Sequence, residues 1–560
     1  MLTQTIDPPR QQAPATLRHR LRLPALITVV VQTVLVLGDR VPSIDTLSYL
    51  ESGRSLLSGD GYVRQGAPEV HFPPGIPVGL GLLHGVMGDE LRAVQVWNLG
   101  WGLALVAVMV ALAWRISHDD DVTVATAWLA TTVGGGVCLA IRGGGGSEVP
   151  TAVLTLTAAL LALRLVAPDP GGAAPRPVLG GAGIGALLGL AYLMRPEALL
   201  WGVLLVGAVA WHLSRAPGRT RNALGSAAKA LTAVALVAAA MCGPYVVRQH
   251  DQTGSWTMTA KAKDASLDSW RAIAEGDRLQ RDRSLYVIDD DGVTLGAPTQ
   301  PLTTLARQDP VGWLSIVGVN AINLVKLYAV WQLVPIFLLA PALHRLWSKR
   351  RQPETQILVA VAVGPVITCL AFFTLPRYLL LTTAVLVPYG VWGLTDWIRG
   401  RSRRRARWAW RGVVVGSLLS LVVAAWPLLP GSPSAEPTEQ RAAGEWIDRN
   451  LPADARILTR SYQVQHYAQR EVVALPMGTT TEVIEFARRR GATHLVADET
   501  SMRSRRPDLV DDLLTSTAAP PGLTLEHELT RDGNGARIYR LTPPPERGPL
   551  GPLPLGYVSD

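Results

Sequence analysis

Residues 23–45 read LPALITVVVQTVLVLGDRVPSID, a long apolar run followed by a short polar stretch whose last residue is Asp45. An apolar run of roughly 17 or more residues can cross a bilayer as a helix. Runs of this kind recur along the 560-residue chain, which is 48% hydrophobic and 17% charged. Because soluble domains carry about 25% charged residues, this composition predicts a polytopic membrane protein.

Eleven apolar runs are predicted to span the membrane, which makes the fold a mainly α-helical bundle. They lie at about 23–41, 92–114, 122–141, 148–166, 178–194, 198–214, 230–248, 331–347, 356–375, 378–397 and 411–430. Two further stretches are expected not to cross, because 74–88 is too short and 312–330 is too polar. If both crossed, the bundle would have 13 spans.

Short loops rich in Arg and Lys orient this bundle in the plasma membrane. They lie at 115–118, 213–229, 344–351 and 399–411, and the last reads RGRSRRRARWAWR. Cytoplasmic loops carry an excess of Lys and Arg. We therefore expect these loops and the tail 1–22 in the cytoplasm. The loops 42–91 and 249–330, and everything after residue 430, are then expected on the outer side.

The net charge of +9 follows from the same basic loops, so it does not indicate a nucleic-acid partner. Cysteine chemistry is not expected either. Cys138, Cys242 and Cys369 lie in or beside apolar runs, without the spacing of a disulfide framework or a zinc site.

Residues 431–541 differ in kind, because helix-like and strand-like segments alternate there. The predicted elements are a helix at GEWIDRNL, strands at RILT, EVVAL and THLVAD, a Thr-capped helix at TTTEVIEFARRRG, and a closing hairpin of LTLEHEL with ARIYRL. The sequence thus predicts a small extracytoplasmic α/β domain after the bundle domain of 23–430. The Pro-rich end, 542–560, is expected to be disordered.

Acidic and basic residues stand where predicted spans end. Asp45 follows the first span, Glu148 opens a later span after four glycines, and Arg195 and Glu197 lie between two spans. Each has a structural alternative. Asp45 could cap a helix, the Glu148 carboxylate could interact favourably with the positive end of a helix dipole, and Arg195 could form an ion pair with Glu197. Spacing alone leaves these alternatives open.

Together these places resemble the GT-C glycosyltransferases, polytopic enzymes that use polyprenyl-phosphate sugars. The pattern is an aspartate after the first span, a loop ending in HFPPGIP at 71–77, and an acidic residue that opens a later span. RPE at 195–197 and PRYLLL at 376–381 also resemble features of this family. The similarity covers about residues 23–430 and is greatest to protein O-mannosyltransferases and lipid A aminoarabinose transferases.

The resemblance implies two catalytic carboxylates. Asp45 resembles the family's general base for the acceptor hydroxyl, and Glu148 resembles a second acid that positions the acceptor or a divalent metal, Mg²⁺ or Mn²⁺. Some members place a Lys before the two prolines, where it contacts the lipid phosphate. Here Phe72 holds that position. His71 is therefore either a partial substitute for that Lys or a structural residue.

Arginines at the outer span ends are candidate ligands of the leaving phosphate. Arg195, Arg248 and Arg377, with Tyr378 beside the last, lie at the depth of the lipid headgroups. Negative charge builds on the phosphate during transfer, and Arg can donate two parallel hydrogen bonds to it. Ordinary snorkelling at the interface is the alternative.

The sequence therefore predicts a glycosyltransferase that moves a sugar from a polyprenyl phosphate to a glycan, lipid or protein acceptor on the outer side. A transporter or flippase is the main alternative. Carriers usually place ionisable groups near the bilayer midplane, whereas the mid-span positions here are almost free of charge. A non-catalytic membrane protein with a partner-binding outer domain is the third class, and it would not need both Asp45 and Glu148.

Overall fold

The computed structural model describes residues 14–542 except 38–40, 65–66, 133–145, 169–175, 216–220, 259–266, 290–291, 296–301, 330–333, 335 and 426–436. The first half of the bundle comprises α1 (Pro14–Leu37), α2 (Ile44–Ser58), α3 (Gly75–Met87), α4 (Glu90–Ser117), α5 (Asp120–Thr132), α6 (Glu148–Val166), α7 (Pro177–Met194), α8 (Ala198–Arg215) and α9 (Arg221–Thr253). Two strands, β1 (Val63–Arg64) and β2 (Ala67–Pro68), pair between α2 and α3.

The second half of the bundle follows a polar segment. It comprises α10 (Leu267–Glu275), α11 (Arg278–Leu285), the paired strands β3 (Tyr286–Asp289) and β4 (Gly292–Leu295), α12 (Leu302–Gln308), α13 (Pro310–Ala329), α14 (Ile336–Ser348), α15 (Pro353–Ala371), a 3₁₀ turn (Pro376–Leu379), α16 (Leu380–Arg399) and α17 (Arg403–Ala425). Cys138 lies outside the described residues. So does the Gly-rich turn before Glu148, apart from Gly146.

In the described part of the chain, 9 helices are long and apolar enough to cross a membrane. Eight coincide with predicted spans. The predicted spans 122–141, 331–347 and 411–430 run partly through residues that are not described. The ninth helix is Pro310–Tyr328, with a mean hydropathy of 1.4. The prediction that this segment is too polar to cross is therefore wrong on composition, because its few polar side chains are outweighed by apolar neighbours.

The contacts of α13 fix it to one end of α15. Trp313 Nε1 donates to the carbonyl of Ala371 at 3.3 Å, and Asn320 Nδ2 donates to the carbonyls of Leu370 and Phe372 at 3.3 and 3.1 Å. These two side chains are about 10 Å apart along a helix, yet both meet the same end of α15. Further along α13, Leu324 and Leu327 pack in one cluster with Cys369 of α15.

The Arg-rich ends of several helices meet at the other end of the bundle, which we call the basic end. Arg20 of α1 and Arg399 of α16 each lie 2.6 Å from Asp121 at the start of α5. Arg345 of α14 lies 2.8 Å from Asp396. The described parts of three predicted cytoplasmic regions therefore share one end of the molecule.

The helices α2 and α3 form a short pair at the end opposite the basic end. Their 15 and 13 residues are too few to span a bilayer. The two helices approach closely at Gly53, where an added Cβ would lie 2.0 Å from the carbonyl oxygen of Pro77. Leu47 and Leu50 bury their side chains against α3. The first turn of α2 is thereby fixed beside the bundle.

A five-stranded sheet forms the core of the C-terminal domain. Its elements are α18 (Thr438–Asn450), β5 (Arg456–Thr459), α19 (Tyr462–Ala468), β6 (Glu471–Ala474), α20 (Thr480–Arg489), β7 (His494–Asp498), α21 (Glu499–Arg505), a 3₁₀ turn (Pro507–Leu509), a π-helical turn (Asp511–Thr515), β8 (Leu523–Arg531) and β9 (Asn534–Leu541). The strand order is β6-β5-β7-β9-β8, with β5 parallel to both β6 and β7. The structure has every strand and helix predicted from the sequence, including the Thr479 cap and the closing hairpin.

One buried carboxylate gives this domain a pH dependence. Glu439 in α18 is fully buried. Burial, and to a smaller extent the nearby Asp498 carboxylate, raises the pKa of Glu439 to about 7. An unfolded glutamate titrates near about 4.3. The ionised form is therefore disfavoured in the folded domain, and stability falls as pH rises from about 4.3 through about 7.

Glu439→Gln, which removes this charge, should raise the Tm at pH 8 and change it little at pH 4.5. The expected gain at pH 8 is on the order of 3 kcal/mol. Thermal unfolding of the full chain across this pH range measures it. Glu485→Gln, at an exposed position of α20, is the matched control. Equal pH slopes in the Glu439→Gln protein and the wild type would contradict the assignment.

Candidate active site

Asp45 lies in the first turn of α2, but Ser43 caps that helix. Ser43 has an extended backbone, and its Oγ accepts from the backbone N–H of Thr46 at 3.3 Å. Asp45 Oδ1 is buried and has no hydrogen-bond partner among the described residues. The other oxygen, Oδ2, lies 3.8 Å from Arg377 Nη2. The capping alternative for Asp45 is therefore excluded.

Glu148 is a buried carboxylate that two arginines share. It begins α6 and is 7% exposed. Its Oε1 accepts from Arg195 Nη1 at 2.8 Å and lies 3.3 Å from Arg377 Nε. A buried charge is stable only when it is paired and hydrogen-bonded. Glu148 therefore does more than interact with the dipole of its own helix, because it holds the guanidinium groups of Arg195 and Arg377 in place.

The motifs RPE and PRYLLL meet at one aromatic ring. Arg195 follows α7, is buried, and lies 3.2 Å from Glu197 through Nε. Its guanidinium is 4.2 Å from the ring centroid of Tyr378, and that of Arg377 is 5.4 Å from the same centroid. A ring between two cations stabilises both by cation–π attraction.

Six of the residues predicted from the sequence are thus brought together. We call this set the acid–arginine cluster, and its members are Asp45, Glu148, Arg195, Glu197, Arg377 and Tyr378. Its three carboxylates face two guanidiniums. The end of the bundle that carries the cluster, opposite the basic end, is called the site end.

Arg248 has other partners than the cluster. Its Nη1 donates to the carbonyl of Glu69 at 2.5 Å, and its Nη2 donates to the carbonyl of Tyr62 at 2.7 Å. Gln249 Nε2 donates to the carbonyl of Val70 at 2.8 Å. Arg248 therefore holds the loop before HFPPGIP in place, and we do not retain it as a phosphate ligand.

Glu69, which was not among the residues predicted from the sequence, organises this loop. Glu69 is 2% exposed, and its Oε2 lies 2.6 Å from Arg64 Nε. Its Oε1 accepts from the backbone N–H groups of His71 and Phe72 at 2.6 and 3.1 Å. Phe72 packs edge-on against Tyr49 at 4.7 Å. The described backbone contacts of His71 thus favour the structural alternative for this residue.

Tyr49 was missed as well, although its spacing was a usable signal. It stands four residues after Asp45 on the same helix, so the two side chains are neighbours. Burial first, and then the Asp45 and Glu148 carboxylates, raise the pKa of Tyr49 well above its ordinary value. The phenol of Tyr49 therefore stays neutral beside the Asp45 and Glu148 carboxylates.

The donor set of the cluster fits arginine better than a divalent metal. Within the described residues, no group of three or more His, Cys, Asp and Glu side chains is placed to hold a metal ion. Arg377 lies within 3.8 Å of Asp45 and 3.3 Å of Glu148. A cation between these carboxylates would have to displace its guanidinium.

Solved structures identify the architecture. The chain matches the oligosaccharyltransferase of Archaeoglobus fulgidus in the apo form with a TM-score of 0.58 and 13% identity, over 87% of this chain and 70% of that one. It matches ArnT from Cupriavidus metallidurans in the apo state with a TM-score of 0.55 and 12% identity, over 92% and 97%. This chain has the GT-C fold. That result confirms the predicted fold class.

At such low sequence identity, these structural matches establish the fold and nothing further. No protein-family model and no curated protein matches this sequence. The oligosaccharyltransferase AglB from Archaeoglobus fulgidus, in complex with an inhibitory peptide and a dolichol-phosphate, matches with a TM-score of 0.54 and 12% identity, over 93% of this chain and 74% of that one. The function of this chain therefore has to be argued from its own residues.

The arrangement around Glu148 predicts unequal costs for two ion-pair deletions. Arg195→Ala should lower stability by about 3–5 kcal/mol, because it removes a buried charge partner. Arg20→Ala, which breaks an exposed pair with Asp121 at the basic end, should cost about 1 kcal/mol or less. Thermal unfolding of both variants in the same detergent measures the difference. Similar losses would show that the Glu148 pair is not a structural centre.

Proposed function

We propose that this protein is a membrane glycosyltransferase that transfers a sugar from a polyprenyl phosphate to an acceptor hydroxyl on the extracytoplasmic side. The observation that carries the proposal is the Oδ1 atom of Asp45. It is a buried carboxylate oxygen without a hydrogen-bond partner in the described chain. The other oxygen of the same carboxylate lies 3.8 Å from Arg377, at one end of a GT-C bundle.

The lipid-linked donor is supported by what two matched proteins bind. The archaeal oligosaccharyltransferase was solved with a dolichol-phosphate, and ArnT from Cupriavidus metallidurans was solved with undecaprenyl phosphate. Both ligands are long polyprenyl chains with one phosphate. A cluster with two arginines at the end of apolar helices suits such a molecule, because the phosphate meets cations where the chain meets lipid.

In the proposed reaction, Asp45 accepts the proton of the acceptor hydroxyl. The acceptor oxygen forms a bond to the anomeric carbon of the sugar while the bond from that carbon to the phosphate oxygen breaks, with inversion. The polyprenyl phosphate leaves with the additional negative charge. Arg377, whose side chain is 25% exposed, stabilises that charge together with Arg195. Glu148 positions both guanidiniums.

The distribution of charge favours this chemistry over transport. The acid–arginine cluster joins the ends of helices, Glu148 at the start of α6 and Arg195 after the end of α7. A carrier needs its ionisable groups near the middle of the spans. Sugar transfer at the site end is therefore better supported than transport by a carrier or a flippase.

Asp45→Asn should reduce the transfer rate on the order of 100-fold or more, because an amide cannot accept the proton. Folding should be intact, since Ser43 caps the helix. Asp89→Asn is the matched control: Asp89 caps α4 by accepting from Arg92 N–H at 2.7 Å, and Asn caps about as well as Asp. Full activity of purified Asp45→Asn protein with a polyprenyl-phosphate sugar would refute the assignment of the base.

Arg377→Ala should raise the KM for the lipid donor about tenfold or more and change the KM for the acceptor less. Arg377→Lys should recover part of the loss, because a point charge replaces a planar fork poorly. Initial rates with each substrate varied in turn separate the two effects. A donor KM that is unchanged in Arg377→Ala would remove this residue from the phosphate site.

Cysteine labelling tests the side of the membrane. We expect the basic end in the cytoplasm and the C-terminal domain outside. In a protein without Cys138, Cys242 and Cys369, an impermeant maleimide added to intact cells should label Glu485→Cys and leave Arg405→Cys unlabelled. Lysed cells should label both variants. Labelling of Arg405→Cys alone in intact cells would reverse the topology.

A further inference from the structure

The segment between α15 and the 3₁₀ turn carries Arg377 into the site, and α13 holds that segment. Asn320 of α13 has a fully buried side chain. Its Nδ2 donates to the carbonyls of Leu370 and Phe372 at 3.3 and 3.1 Å, and its Oδ1 accepts from the backbone N–H of Thr374 at 3.1 Å. An amide side chain has one NH₂ group and one oxygen, so both polar atoms of Asn320 are used on one short segment.

These hydrogen bonds complete the end of α15. The carbonyl groups in the last turn of a helix have no partner within the helix, and α13 supplies donors for them. Asn320 serves the carbonyl of Leu370, and Trp313 Nε1 donates to that of Ala371 at 3.3 Å. In return, Thr374 Oγ1 donates to the backbone carbonyl of Asn320 at 3.2 Å. The chain therefore leaves α15 in a direction that α13 sets.

The link from Thr374 to Arg377 is short and stiff. Leu375 has an extended backbone, with φ −119° and ψ 146°, and a residue before proline is restricted to this region. Pro376 follows, and its ring fixes φ. Arg377 is the next residue. The position of Thr374 is therefore transmitted along the backbone to Arg377 with little conformational freedom in between.

The same helix packs on the other side of Arg377. Leu379 is fully buried in an apolar cluster that includes Leu324 and Leu327 of α13. Between these two anchors, the Arg377 guanidinium lies 3.3 and 3.8 Å from two carboxylates of the acid–arginine cluster. Arg377 is thus held from both sides by a helix that contributes no residue to the cluster.

We propose that Asn320 is a positioning residue for the transfer reaction. It fixes the backbone that carries Arg377, and thereby the place where this guanidinium meets the donor phosphate. The role of Arg377 at the phosphate rests on the proposed function, whereas the fixing of its backbone does not. A displacement of about 1 Å is enough to spoil two parallel hydrogen bonds to a phosphate. Asn320 therefore acts through Arg377 and not on the substrate.

Hydrogen exchange of the full chain in nanodiscs tests the fixed backbone without turnover. Asn320→Leu keeps the approximate shape of the side chain and removes its hydrogen bonds. We expect the backbone amides of Thr374 and Tyr378 to exchange about tenfold faster or more in this variant, because each lost hydrogen bond weakens the closed state. Tyr378 reports on the turn itself, since its N–H donates to the carbonyl of Leu375 at 3.1 Å.

Asn323→Leu is the matched control on the same helix. Asn323 Nδ2 donates to the carbonyl of Ala274 in α10 at 2.7 Å, and within the described chain its side chain bonds to no residue of 370–379. This variant should leave the exchange of Thr374 and Tyr378 at the wild-type rate. Unchanged exchange at Tyr378 in Asn320→Leu, or an equal increase in both variants, would overturn the proposal.

Initial rates with a polyprenyl-phosphate sugar test the consequence for the site. Asn320→Leu should raise the KM for the donor about fivefold or more and change the KM for the acceptor less. If Asn320 acts only through Arg377, the double variant with Arg377→Ala should have the donor KM of Arg377→Ala alone. Losses that multiply in the double variant would contradict the positioning role.

Thr374→Val is a milder second variant, because it removes only the hydroxyl that donates to the Asn320 carbonyl. It should change the exchange at Tyr378 and the donor KM in the same directions as Asn320→Leu, by smaller factors. If Asn320→Leu does not fold, wild-type exchange and a wild-type donor KM in Thr374→Val refute the proposal.

Two outcomes separate this proposal from the proposed function. If Asn320→Leu loosens the turn while Arg377→Ala keeps the wild-type donor KM, the phosphate site fails and the fixed backbone stands. If Arg377→Ala raises the donor KM while Asn320→Leu does not, the positioning role fails and the transferase stands.

Discussion

The pairing of one buried carboxylate oxygen holds the site end together. Oε1 of Glu148 lies 2.8 Å from Arg195 and 3.3 Å from Arg377. These residues stand at the ends of three separate bundle segments. Removing one partner from a buried ion pair costs about 3–5 kcal/mol, so the three ends cannot part without leaving a charge unpaired. Arg377 also lies 3.8 Å from Asp45, which draws α2 into the same arrangement.

The C-terminal domain holds α2 from the opposite direction. Tyr462 donates to Glu51 of α2 at 2.8 Å, and Arg460 lies 2.6 Å from the buried carboxylate of Asp282 before β3. The helix that carries Asp45 is thus fixed between the cluster and a domain that supplies none of its six residues. We infer that the orientation of the proposed base depends on the contact of Asp45 with Arg377 and on the Tyr462–Glu51 hydrogen bond.

Arginines serve different purposes at the two ends of the bundle. At the basic end, Arg20 and Asp121 have side chains that are 36% and 53% exposed, whereas Arg195 and Glu148 are 7% and 8% exposed. Exposed ion pairs contribute about 0–1 kcal/mol, while buried ones are costly to break. A count of arginines therefore predicts membrane orientation, and burial decides which of their ion pairs are costly to break.

The sequence by itself determined the helical bundle and each strand of the C-terminal domain, and it nominated the six residues of the cluster together with His71 and Arg248. Span length, alternation of apolar residues and charge at span ends are local properties, and these features follow from them. Only the tertiary structure decided that Ser43 caps α2 and leaves Asp45 available, that Arg248 holds loop carbonyls, and that Glu69 organises that loop. The physical reason is that a guanidinium or carboxylate binds whichever group packing brings to it, and Arg248 meets residues 179 positions away in the chain.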